Sequence, residues 1–166
     1  MANSPVPERF VVDIMLGRLA RWLRAMGYDT LYPEPAPGHV GDRLLRELCR
    51  AEQRVLITRD RMLAHLAEPR SCLVRSEAVD QQIAEVVRTL ALSPREADWL
   101  SRCLDCNTPL EARPRENVAG RVPAHVLATR SEFMACPGCA KIYWAGTHAD
   151  RMLARLVRLL GRESAG

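Results

Sequence analysis

Four of the six cysteines stand in two C-x-x-C pairs: RCLDCN supplies Cys103 and Cys106, and ACPGCAKIYW supplies Cys136 and Cys139. Each pair turns tightly enough to aim two thiolates at one point, and two such turns facing each other form a tetrahedral four-thiolate zinc site. The chain between them must therefore return on itself. The 29 residues from 107 to 135 exceed the commonest spacing, but a ribbon hairpin can hold an insertion such as RPRENVAGRVP. Four protein ligands leave no open position, so the zinc is expected to be structural. Redox or disulfide chemistry is the alternative for the same pairs. The opening MANSPVPERF has neither the basic start nor the apolar run of an export signal, which favours the metal. Cys49 and Cys72 lie beside apolar residues and read as buried thiols. His148 is near enough to be a ligand but is not needed. His39, His65 and His125 show no metal spacing.

Upstream, strand-like and helix-like segments alternate. Phe10–Val12 is a short apolar run, followed by a helical pattern over Leu16–Met26 that Gly27 is placed to end. Asp29–Tyr32 predicts a second strand, and after the loop PEPAPGHVG a helix opens at Asp42, with Leu44, Leu45, Leu48 and Cys49 on one side. RVLIT predicts a third strand, followed by a short helix, RMLAHLA. CLV predicts a fourth, and DQQIAEVVRTLAL a helix burying Ile83, Val86, Val87 and Leu90. Such alternation predicts an α/β fold with a mostly parallel sheet flanked by helices. Near Ser93–Arg102 the pattern gives way to short strands and turns, and an amphipathic helix closes the chain from about Ala149 to Leu160. The expected division is residues 1–100 and 101–166. No stretch approaches the ~18 apolar residues of a membrane span, so a cytoplasmic protein with no membrane partner is expected.

Asp13, Asp42 and Asp60 occupy matching places in this alternation. Asp13 ends the first strand, Asp42 opens the helix after the second, and Asp60 follows the third. Strand C-termini and helix N-termini share one edge of an open parallel sheet, where sites assemble. Three carboxylates on one edge repel, and a divalent cation removes the penalty. Magnesium or manganese suits oxygen ligands, can generate hydroxide, and neutralises a phosphate under attack. Aspartate is also a preferred helix N-cap, and each of the three stands where a cap would stand. Asp80 follows the fourth strand and fits as a fourth acid, with Glu77 as its neighbour and a plain cap as its alternative.

The bases are unevenly placed. Residues 1–100 carry 14 Arg and 14 Asp or Glu, whereas residues 101–166 carry 10 Lys or Arg against 6 acids, which accounts for the whole formal +4. The C-terminal part is the expected anion-facing region. Arg151, Arg155, Arg158 and Arg162 form one helical stripe opposite Met152, Leu153, Leu156 and Leu160, suited to a phosphate backbone or simply to solvent. Arg18, Arg21 and Arg24 follow Asp13 and could meet a substrate phosphate. Tyr143 and Trp144 could stack on bases, or pack over the cysteine knuckle.

Taken in order, VDIMLGRLARWLRAMGYDT, RVLITRDRML, RCLDCN, CPGCAKIYW and GTHADRM resemble the Mut-seven C-terminal RNase domain family, from about Phe10 to Leu160. The resemblance implies a PIN-like nuclease fold followed by a small zinc-ribbon domain and a C-terminal helix. It implies a metal-dependent ribonuclease whose acids, at Asp13, Asp42 and Asp60, bind magnesium or manganese. Thr58 matches a small hydroxyl residue beside the last acid, and Asp80 is a loose match to the fourth. RNA is the implied partner, and a homodimer is one outcome the resemblance allows. A non-catalytic nucleic-acid-binding zinc-ribbon protein and a structure-specific DNA nuclease are the competing readings.

Overall fold

The computed structural model describes residues 8–33 and 41–161. Four parallel strands, β1 (Arg9–Val12), β2 (Asp29–Leu31), β3 (Val55–Thr58) and β4 (Ser71–Leu73), form a sheet in the order β2-β1-β3-β4. Phe10 pairs with Thr30 on one side and Val55 on the other, so β1 is central. Phe10, Val11, Val12, Leu56 and Ile57 are all fully buried. Both faces of the sheet are covered, which is why these strands read as apolar runs rather than as alternations. Phe10, Val12 and Ile57 pack with α1 (Gly17–Ala25) and α4 (Val79–Thr89). On the other face, Val11 and Leu56 pack with Leu45 and Cys49 of α2 (Asp42–Glu52) and Leu63 of α3 (Arg61–Leu66).

Two helix boundaries follow local chemistry. Gly27 ends α1 in the left-handed region at φ +92°, and a Cβ there would lie 2.6 Å from the Asp98 carbonyl oxygen. Only glycine meets both demands. Asp42 begins α2, but Leu44 does not join the buried side as expected: it is 45% exposed. It sits in the first turn of the 11-residue α2, and the buried side begins one residue later at Leu45.

Past a 3-10 turn at Glu96–Asp98, an antiparallel sheet of β5 (Glu111–Arg113), β6 (Phe133–Ala135) and β7 (Ile142–Trp144) forms in that order. The insertion between β5 and β6 contains α5 (Ala124–Thr129) and closes a small core of Val118, Val122, Val126 and Phe133. The last helix, α6 (Thr147–Leu159), starts two residues before the predicted Ala149. Leu104 beside the first cysteine pair and Leu156 on α6 belong to the same core as α1 and α4. Ribbon and closing helix are thereby seated on the α/β layer. No helix among the described residues is long and apolar enough to cross a membrane.

Candidate functional site

The thiol site is built from two similar turns. Asn107 donates its backbone N–H to the Cys103 carbonyl at 3.0 Å, and Ala140 donates to the Cys136 carbonyl at 2.9 Å. Both residues follow the second cysteine of a pair and both adopt positive φ, 69° and 62°. Gly138 lets the second turn close, since a Cβ there would stand 2.7 Å from the Thr108 hydroxyl. The four Sγ atoms all lie within 4.8 Å of one another. Cys106 and Cys136 approach to 3.2 Å and Cys103 and Cys139 to 3.6 Å, near the ~3.8 Å edge of a tetrahedron with Zn–S bonds of about 2.3 Å. All four are free thiols, and their donor set fits a metal such as zinc.

Electrostatics prepare one ligand in advance. Burial opposes ionisation of Cys106, but hydrogen bonds from the Thr108 hydroxyl and backbone outweigh it and draw the thiol down to about 6. Burial and the neighbouring thiols push Cys139 the other way, up to about 12, so that it depends on a cation to ionise. The Tyr143 hydroxyl lies 3.1 Å from the Cys103 Sγ and accepts from the Leu104 N–H at 3.3 Å. Burial raises its pKa, and the neighbouring thiol raises it further. Tyr143 therefore covers the knuckle. Cys49 and Cys72 stand apart, each pushed by burial up to about 11, and are inert core thiols.

The second site lies where β1 and β3 end. Asp13 is 8% exposed, and its Oδ2 accepts from the Thr58 hydroxyl at 2.7 Å. That hydroxyl also accepts from the Asp60 backbone N–H at 3.0 Å, so one buried threonine orients both acid positions. Asp13 makes no side-chain cap, because a 3-10 turn at Ile14–Leu16 separates it from α1. Asp60 does cap: its Oδ1 accepts from the Leu63 N–H at 2.9 Å and starts α3. Asp42 is exposed at the first position of α2, where Gly41 holds the cap position. Among the described residues, no hydrogen bond joins Asp42 to the other two, and the thiols are the one group of three or more metal-ligating side chains placed to share an ion. Asp80 is held by Arg155, whose Nε reaches Oδ1 at 2.9 Å, and makes no side-chain cap.

The profile of the Mut7-C RNAse domain matches residues 8–163, nearly the whole chain. The chain belongs to that family. Comparison with curated proteins gives no match.

Within the Mut7-C domain the predicted arginines have different fates. Arg18 is exposed on α1. Arg21 is exposed too, but pairs with Asp105 at 2.7 Å. Arg24 does not face a substrate: it is 4% exposed and donates to the carbonyls of Thr30, Leu104 and Asp105. Its position in the α1 pattern puts it inward, where its stem is buried and its head satisfies backbone carbonyls. Arg151 and Arg158 are exposed on α6. Arg155, on the same stripe, lies 4.9 Å above the Trp22 ring while it binds Asp80, and so ties α6 to α1 and α4. Arg162 and His39 lie outside the described residues. Sequence reasoning missed the tie between Asp29, Arg54 and Asn107. Arg54 is 3% exposed and grips Asp29 with both Nη atoms, at 2.9 and 3.1 Å. Asn107 reaches the same carboxylate at 2.7 Å. An asparagine directly after the second cysteine of a C-x-x-C pair was the available signal.

Proposed function

We propose that this Mut7-C domain hydrolyses RNA phosphodiesters with a divalent ion bound at the edge where Thr58 joins Asp13 and Asp60, and that the ion draws in Asp42, which among the described residues does not stand with them beforehand. The observation that carries this is Asp13. It is a buried carboxylate whose one hydrogen-bond partner among the described residues is the Thr58 hydroxyl. A buried charge with one neutral donor is costly unless a cation completes it. Its oxygen donors suit magnesium or manganese. When bound, such an ion supplies a water-derived hydroxide and neutralises charge on the phosphate.

The chain's own contributions are positional. Thr58 sets the Asp13 rotamer and holds the Asp60 backbone against it. Asp60 uses Oδ1 for its helix and keeps Oδ2 for another partner. Asp80, engaged by Arg155, has no part in the set. Arg18, Arg151 and Arg158 offer exposed guanidiniums to the strand, and the zinc ribbon positions the last two through α6.

The test is cleavage of single-stranded RNA in manganese by wild type and Asp13→Asn. Wild type is expected to cut and Asp13→Asn to lose at least about 100-fold, with equal RNA binding. Undiminished cleavage by the variant would overturn the metal site. Preference for flapped DNA would move the substrate to DNA, and RNA binding without any turnover would leave a binding module.

A further inference from the structure

A small hollow of about 240 Å³ opens at the opposite edge of the parallel sheet, where the last turns of α2 and α3 meet the chain entering β4. Arg46 and Arg50 line it from α2, and Arg70 from the residue before β4. Cys49 and Leu66 supply apolar wall, and Glu68 is the one acid in the lining. Glu68 faces His65 at 3.5 Å. Arg70 donates to the Gln53 carbonyl at 3.3 Å, and among the described residues none of the three arginines is paired with a carboxylate. This contrasts with Arg9, Arg54 and Arg155, each of which has an acid.

Arg50 and Arg70 are exposed, and water solvates them. Arg46 is different: its Nε is buried and has no hydrogen-bond partner. A buried N–H without an acceptor is destabilising, and three guanidiniums lining one hollow repel one another. An anion entering the hollow relieves that repulsion. Planar carboxylates are saturated by one or two guanidinium forks, whereas a tetrahedral phosphate presents oxygens in every direction and can be shared among three. The charge balance of the lining, three bases against one acid, favours a multiply charged guest.

We propose that this hollow is a phosphate-binding site, separate from the acidic edge at Asp13. Its ligand is a phosphate group, carried either by an RNA strand or by a phosphorylated small molecule. Arg46, Arg50 and Arg70 share its oxygens through their guanidinium N–H groups. The site requires neither zinc nor a divalent ion, so it stands whether or not the Asp13 edge cuts RNA.

The probe is inorganic phosphate, added to the full zinc-loaded chain against chloride at equal ionic strength. Ten-fold excess over the dissociation constant is expected to raise Tm by about 3 °C. Arg50→Gln, at an exposed position where folding is not at risk, and Arg46→Gln should each weaken phosphate binding roughly 10-fold. Arg88→Gln, exposed on α4, should leave it unchanged. A competition arm uses Asp13→Asn, free of magnesium and manganese, with 5′-phosphorylated and 5′-hydroxyl oligoribonucleotides. Displacement of phosphate by either oligonucleotide identifies the strand as the source, and displacement by neither identifies a small phosphorylated ligand. Absence of a Tm shift in wild type, or an equal shift in Arg46→Gln and Arg50→Gln, would overturn the site.

Discussion

Asn107, the residue after Cys106, donates its side-chain amide to the Asp29 carboxylate at 2.7 Å across 78 positions of sequence. Its Oδ1 accepts from the Thr30 N–H at 2.9 Å, so the thiol knuckle is bonded to the edge strand of the parallel sheet. Asn107→Ala removes both bonds and strains a φ of 69°, and should destabilise the chain by about 2 kcal/mol. Asn107→Gly keeps the backbone and loses the bonds, and should fall in between. Urea titrations of the three proteins check the order.

The same carboxylate makes stability depend on acidity. Burial opposes ionisation of Asp29, but Arg54, Asn107 and Arg9 override it and hold its pKa well below the usual carboxylate range. A depressed folded-state pKa contributes stability that is complete above the unfolded value of about 3.9 and drains as pH falls through it. Wild type should therefore lose Tm below about pH 4 more steeply than Asp29→Asn, which starts lower because Arg54 is left buried and under-compensated. Parallel slopes for the two proteins between pH 5 and pH 3 would contradict this.

Asp60 separates capping from catalysis. Asparagine caps as well as aspartate, whereas alanine costs about 1 kcal/mol at an N-cap. Asp60→Asn should keep Tm within a degree or two of wild type and lose manganese-dependent cleavage. Asp60→Ala should lose both. If Asp60→Asn cuts RNA normally, the carboxylate serves α3 alone.

On α6 the arginines should divide by partner. Arg155→Ala gives up Asp80 and the Trp22 face, and should cost about 1–2 kcal/mol of stability. Arg151→Ala and Arg158→Ala should leave stability unchanged and each lower the salt dependence of RNA affinity by about one phosphate contact. Denaturation and salt-titrated binding on the same three variants test the division.

The thiol cluster should hold about one zinc per chain. Gly138→Ala would push a Cβ against Thr108 and should weaken zinc retention under chelator competition. Elemental analysis finding no zinc in fresh protein would refute the site.

Much of this was local enough to read along the chain. The two C-x-x-C pairs prescribe their own turns, and the alternation of short apolar runs with helical patterns prescribes a parallel sheet whose carboxyl edge collects Asp13 and Asp60. What a side chain does once there depends on neighbours the sequence does not place. Arg24 and Arg21 are three residues apart, yet one is buried on the carbonyls of Leu104 and Asp105 and the other is exposed. Arg155 shares a stripe with Arg151 and Arg158, and only packing of α6 gives it Asp80. Asp80 was a looser match than Asp13, with a plain cap as its alternative, and that same packing gives it Arg155 instead. Periodicity reports which face a residue occupies, but a charge is satisfied by whatever long-range folding brings within 3 Å of it.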